Sequence, residues 1–204
     1  MSNHLAKRPT RRSMKVAGLI AVVVAMTVSA GFVWEASYSA FSATTSNAGN
    51  TWATGTVILS NDSAATAMFT ASGLKPGSTG THCIAVTSTG TLPSAVKLYG
   101  TTPATTNALS TYINLTITQG TGGSFASCTG FTPDVSGSAI YSGTLANLGT
   151  SNTNYATGLT TWSPTGASSE TKVYQFTYTV SAATPSSASG GTAGIGFTWE
   201  DQNT

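Results

Sequence analysis

The stretch Lys172–Ser181, KVYQFTYTVS, decides the fold class. Tyr174, Phe176, Tyr178 and Val180 fall on one side of an extended chain, and Gln175, Thr177 and Thr179 on the other. That period of two belongs to a strand with one face in a core, whereas a helix would scatter the aromatics around its axis. Ala193–Glu200 repeats the pattern: Ile195, Phe197 and Trp199 oppose Gly194 and Gly196, glycines that suit close approach by neighbouring backbone. Between the two strands, Ser181–Thr192 (SAATPSSASGGT) reads as a flexible loop.

Working outward, Gly55–Ser60, Ala67–Ser72, His82–Ser88, Ser94–Gly100, Tyr112–Thr118 and Ala139–Leu145 are further strand candidates, separated by Gly, Pro, Asn and Ser. Leu74-Lys75-Pro76-Gly77 supplies a turn, with Pro presetting φ and Gly free to take positive φ. Regularly spaced short strands with no helical period between them predict an all-β, antiparallel two-sheet sandwich, jelly-roll-like, over residues 40–204 as a single domain.

The 204 residues include 27 Ser, 38 Thr and 22 Gly against eight basic and six acidic side chains. Five of the basic residues, Lys7, Arg8, Arg11, Arg12 and Lys15, lie within the first 15 positions. From Ser37 onward Lys75, Lys97 and Lys172 face Asp62, Asp134, Glu170, Glu200 and Asp201, so the body is nearly uncharged and slightly acidic. Three scattered lysines make no phosphate-binding patch, which argues against nucleic acid as a partner. Thr suits strands and bonds across them without like-charge repulsion, so a Thr face tolerates stacking against another copy. A Thr-rich habit of secreted β-proteins is the other reading of the same composition.

The uncharged run Val16–Trp34 (VAGLIAVVVAMTVSAGFVW) follows the basic stretch Lys7–Lys15. This is the layout of a secretory signal, so residues 1–39 read as an N-terminal apolar signal helix or, if uncleaved, a membrane anchor. Small residues permit cleavage after Ala30 or after Ser39, the second adjoining the ordered pattern. A signal peptidase is then a partner, and any membrane contact runs through this segment alone. Thr10-Arg11-Arg12-Ser13-Met14-Lys15 partly matches a twin-arginine signal but fits a generic basic region, and Met14 is an alternative start. An exported body lets Cys83 and Cys128 pair as a disulfide closing a loop of about 45 residues. Two buried free thiols are the alternative.

The pattern proposes no catalytic or metal-binding residues and no cofactor. His82 beside Cys83 faces the opposite way on a strand, and no donor set has zinc spacing. The carboxylates are single except for Glu200-Asp201, which offers no glycosidase pair. Gly120-Thr121-Gly122-Gly123 lacks the Lys-Ser/Thr ending of a phosphate loop. Among the tryptophans, Trp199 belongs to a core face, while Trp162 in Gly158–Gly166 (GLTTWSPTG) is the candidate exposed aromatic for stacking on sugar.

The run Ala40-Phe41-Ser42-Ala43-Thr44-Thr45-Ser46-Asn47, then Gly49-Asn50-Thr51-Trp52-Ala53-Thr54-Gly55-Thr56-Val57, follows directly on the apolar segment, and Met68-Phe69 precedes the Leu-Lys-Pro-Gly turn. In these features the N-terminal third resembles the TasA/camelysin family of bacterial secreted proteins, processed by a SipW-type signal peptidase. The cysteine pair, Gly120–Phe131 and the Trp199-Glu200 ending are similar to an actinobacterial-type branch. The resemblance implies a jelly-roll sandwich and extracellular fibres in which the N-terminal segment of one subunit completes a sheet of the next. It also brings in camelysin's metallo-endopeptidase activity, for which this chain shows no ligand set.

The expected function is therefore non-enzymatic: a secreted or cell-surface structural protein, in the resemblance's terms a filament or biofilm-matrix subunit. A carbohydrate-binding module using Trp162 is the alternative, and a camelysin-like peptidase a third. The expected assembly segment is Phe41–Leu59, small and polar at first and then apolar at Trp52, Val57, Ile58 and Leu59. Small residues dock weakly on their own domain, which frees such a segment to pair with the open edge of a neighbour. An ordinary first strand of a monomer is the competing reading.

Overall fold

The computed structural model describes residues 42–46, 49–50, 57–63 and 65–204. The expected signal segment, residues 1–39, and the aromatics Phe41 and Trp52 lie outside them. Among the described residues no helix is long and apolar enough to cross a membrane.

Two antiparallel sheets make the body. In the first, β1 (Ser42–Ser46) lies between the two-residue β2 (Gly49–Asn50) and the long β11 (Ala193–Asn203), followed by β5 (Ser94–Thr105) and β9 (Leu159–Thr160). The second runs β3 (Leu59–Asn61), β4 (Thr79–Ser88), β10 (Glu170–Val180), β6 (Ile113–Thr121), with β7 (Thr132–Pro133) and β8 (Ala139–Thr144) both paired to β6. The two patterned stretches of the sequence are thus central strands, one in each sheet. The expected face is buried, with Tyr174, Phe176, Val180, Phe197 and Trp199 in the interior and Thr179 exposed, although Val173 and Thr198 of the opposite parity are covered as well. Leu59, Ile84, Val86, Val96, Leu98, Leu115 and Ile117 complete the core between the sheets.

Three readings need correction. Ala67–Ser72 is not a strand but an irregular loop. Its apolar residues Met68 and Phe69 are neighbours, which a strand would send to opposite faces, and both pack on the core. Ala139–Leu145 ends as a strand at Thr144, where the chain turns into α1 (Leu145–Ser151). Thr144 caps that helix, its hydroxyl accepting from the Asn147 N–H at 3.1 Å. Gly55–Ser60 contributes a strand only from Leu59, with residues 55–56 outside the described set.

The outer face of the second sheet shows how a charge-poor surface coheres. Thr81 and Thr177 hydroxyls meet at 3.1 Å and those of Thr87 and Thr171 at 2.8 Å, each joining β4 to β10. The one ion pair among the described residues is Lys172–Asp134, at 2.9 Å. Cys83 on β4 is bonded to Cys128 in the β6–β7 loop, with Cα atoms 5.3 Å apart. Asp62 holds the same loop, one oxygen accepting from the Ala85 N–H at 2.8 Å and the other from the Phe125 N–H at 2.7 Å. Gly120 lets β7 cross close over β6, because a Cβ there would overlap the Thr132 carbonyl.

Replacing both Cys83 and Cys128 by Ala removes a 45-residue cross-link. Chemical denaturation should show a loss of about 3–4 kcal/mol, as loop-closure entropy returns to the unfolded chain. The far-ultraviolet β signal should persist, because Asp62 still fastens the loop.

Candidate functional site

The expected assembly segment is divided by the structure. Ser42–Ser46 is docked on its own domain as β1, antiparallel to β11 with Ser42 opposite Gln202 and Ser46 opposite Thr198. Val57 and Leu59 are buried at 2% and 8% exposure, so the end of the segment belongs to the core. Before Val57, the described residues Ser42–Ser46 and Gly49–Asn50 pair through their backbone with β11 and with each other.

β1 covers just the second half of β11. From Ala193 to Phe197 that strand has β5 on one side and no described strand on the other. The open half borders an apolar cleft of about 920 Å³. One wall is the Ala67–Pro76 loop, the floor comes from β6 and β10 through Ile113, Leu115 and Val180, and the far wall is the open stretch of β11. Phe69 keeps the loop wall in place, its ring edge-on to Tyr178 at 5.2 Å and to His82 at 5.9 Å. A single charged residue, Lys75, lines the cleft. The sequence reading missed this feature, although Gly190 and Gly194, where an added Cβ would meet nothing within 4 Å, mark a stretch with little to fill the space beside it.

At the second half of β11 the inner face carries Asp201, with none of its surface accessible and neither carboxyl oxygen hydrogen-bonded. Burial pushes its pKa up, and the hydroxyls of Ser94 and Ser88 beside it only partly oppose this. On the outer face the Tyr99 hydroxyl donates to Glu200 at 2.7 Å, and burial together with that carboxylate raises the tyrosine pKa. Gln202 donates to the other Glu200 oxygen at 2.7 Å, and the Lys97 ammonium sits 4.8 Å over the Tyr155 ring.

Trp162 is not an exposed platform, which corrects the sugar-stacking expectation. The Val96 N–H donates to the Trp162 carbonyl at 2.9 Å, continuing the β9 edge along β5. That attachment turns the indole onto the main core, half-buried, with its nitrogen enclosed. His82 is wedged between Phe69 and Phe125, its Nδ1 3.0 Å from the Cys83 carbonyl. Among the described residues no three His, Cys, Asp or Glu side chains gather where they could hold a metal. No protein-family model matches the chain, and no curated protein matches it.

Because its ring packs against core, Trp162→Ala should lower unfolding free energy by about 2–3 kcal/mol in a denaturant titration, somewhat less than a fully buried tryptophan. An exposed stacking residue would leave stability within about 0.5 kcal/mol.

Proposed function

We propose that the chain is a secreted or cell-surface structural protein, a jelly-roll-like subunit that assembles when the Phe41–Asn50 portion of one copy pairs with β11 of the next. The observation that carries the reading is the open half of β11 beside the apolar cleft. An added strand gains backbone hydrogen bonds along such an edge, and its alternate side chains enter the space beneath. Phe41 gives the segment one large apolar side chain, while Val57 and Leu59, further along the chain, are buried in their own domain and anchor it there. A contact that passes head to tail makes a filament unless its rotation closes a ring.

The composition supports the same role. An edge with almost no charge nearby lacks the lysines that usually discourage strand-to-strand association. The disulfide fits an oxidising compartment, in keeping with export. The resemblance to the TasA/camelysin family agrees with fibre formation; for the peptidase activity of that group, no three His, Cys, Asp or Glu side chains gather among the described residues.

Deleting Phe41–Asn50 tests the proposal by sedimentation and electron microscopy. The full chain should elongate as its concentration rises, and the truncated chain should stay folded and monomeric. A full chain that remains monomeric at high concentration, with the truncation merely less stable, would overturn it.

A further inference from the structure

The cleft beside the open half of β11 has a floor and a charge that strand pairing alone does not use. Leu109, Ile113 and Val180 form a small apolar cluster apart from the main core, and Leu74, Leu145 and Tyr178, which pack on it, are only partly covered. The cleft's volume of about 920 Å³ is within the roughly 300–1,000 Å³ usual for small-ligand sites. Met68 in the loop wall is unbranched and polarizable, so it fits irregular hydrocarbon. Polar side chains of the lining, such as Thr70, Ser186 and Ser189, are exposed at the mouth. Among the described residues, the buried side-chain polar atoms without a partner belong to Gln119, Trp162, Tyr174, Trp199 and Asp201, none of which lines the cleft. A sugar or a nucleobase placed there would bury polar groups against hydrocarbon with nothing to bond them, which is costly. No carboxylate lines the cleft, and Lys75 is its one charged residue. Of the three described lysines, Lys172 is paired with Asp134 and Lys97 stands over Tyr155, which leaves the Lys75 ammonium free.

We infer that the cleft binds a single-chain anionic amphiphile, a fatty-acid-like molecule whose hydrocarbon chain lies on Leu109, Ile113, Leu115 and Val180 and whose anionic head meets Lys75 at the mouth. Burial of the chain supplies the affinity, and one exposed ion pair supplies a modest preference for the anion. The occupant is a free molecule and not a bilayer. Anionic membrane surfaces hold proteins through clusters of Lys and Arg, and this slightly acidic body has three scattered lysines. The space is the one proposed to receive side chains of a donated strand, so an occupied cleft blocks strand addition. Binding of the amphiphile does not itself depend on the assembly reading.

Calorimetric titration of the full chain with decanoate and with laurate, each below the concentration at which it forms micelles, tests the inference. Laurate has two more methylenes and should bind about fifteenfold tighter, at about fourfold for each. Lys75→Gln should weaken laurate about two- to fivefold and leave the neutral lauryl alcohol unchanged, which separates the charge contact from any change in fold. Methyl resonances of Met68, Ile113 and Val180 should shift on adding laurate to the unaltered chain, while those of Val96 and Leu98 in the main core stay in place. Equal affinity for the two chain lengths, shifts centred away from the cleft, or a Lys75→Gln loss as large for the alcohol as for the acid overturns the inference. Binding to phosphatidylglycerol vesicles with none to laurate overturns it as well. If laurate binds and no sample elongates, the ligand site stands and the assembly reading falls; elongation without laurate binding gives the reverse.

Discussion

The contact between aromatic side chains across the two sheets is what the remainder of the body depends on. Trp199 of β11 lies 5.4 Å from Tyr174 and 6.1 Å from Phe176 of β10, and Phe176 is 4.7 Å from Phe197. Each such ring buries roughly 150–250 Å², and tilted or edge-on pairs add to the area effect. Because these two strands face each other, they take the centre of their sheets, and each recruits partners on both sides. β4 and β6 flank β10, while β1 and β5 flank β11. The irregular pieces then close the ends: Met68 and Phe69 at one, the Trp162 segment along the β5 edge.

What was readable beforehand follows from how strongly each element alternates. β6, β10 and β11 were visible because apolar residues fall at every second position along them, and β4 and β5 because their apolar, β-branched runs sit between turn residues. α1 was hidden, since seven residues show barely two turns and its cap, Thr144, is one threonine among 38. β7 and β9 are two residues each and leave no periodic trace. For the site, the N-terminal segment could be picked out by composition, but the cleft could not, because its walls come from a loop and two distant strands. Asp201 was within reach. Ile195, Phe197, Trp199 and Asp201 share one parity, so extending the alternation by a single step places the carboxylate in the interior. Trp162 misled for the opposite reason: its loop-like surroundings concealed an edge that follows β5.

The surface economy of this protein has its own logic. With a single ion pair among the described residues, cohesion on the outer faces passes to hydroxyl pairs such as Thr81–Thr177 and Thr87–Thr171. Neutral pairs are indifferent to the ionic strength that screens exposed charges. They are also indifferent to pH, which leaves the few titratable groups to act without a background of competing charge. Edges with so little charge are a hazard in most proteins, and here they coincide with the strand proposed to accept a neighbour.

The pairing of β1 with β11 joins the first described strand to the last. Both central strands come from the final 35 residues, since β10 starts at Glu170 and the sequence has 204 positions. A chain that emerges with its N-terminus leading therefore has nothing on which to close either sheet until nearly all of it is out. Its contacts are dominated by distant pairings, which fold slowly. Such a polypeptide stays open for most of its synthesis and commits to its shape only once the far end arrives.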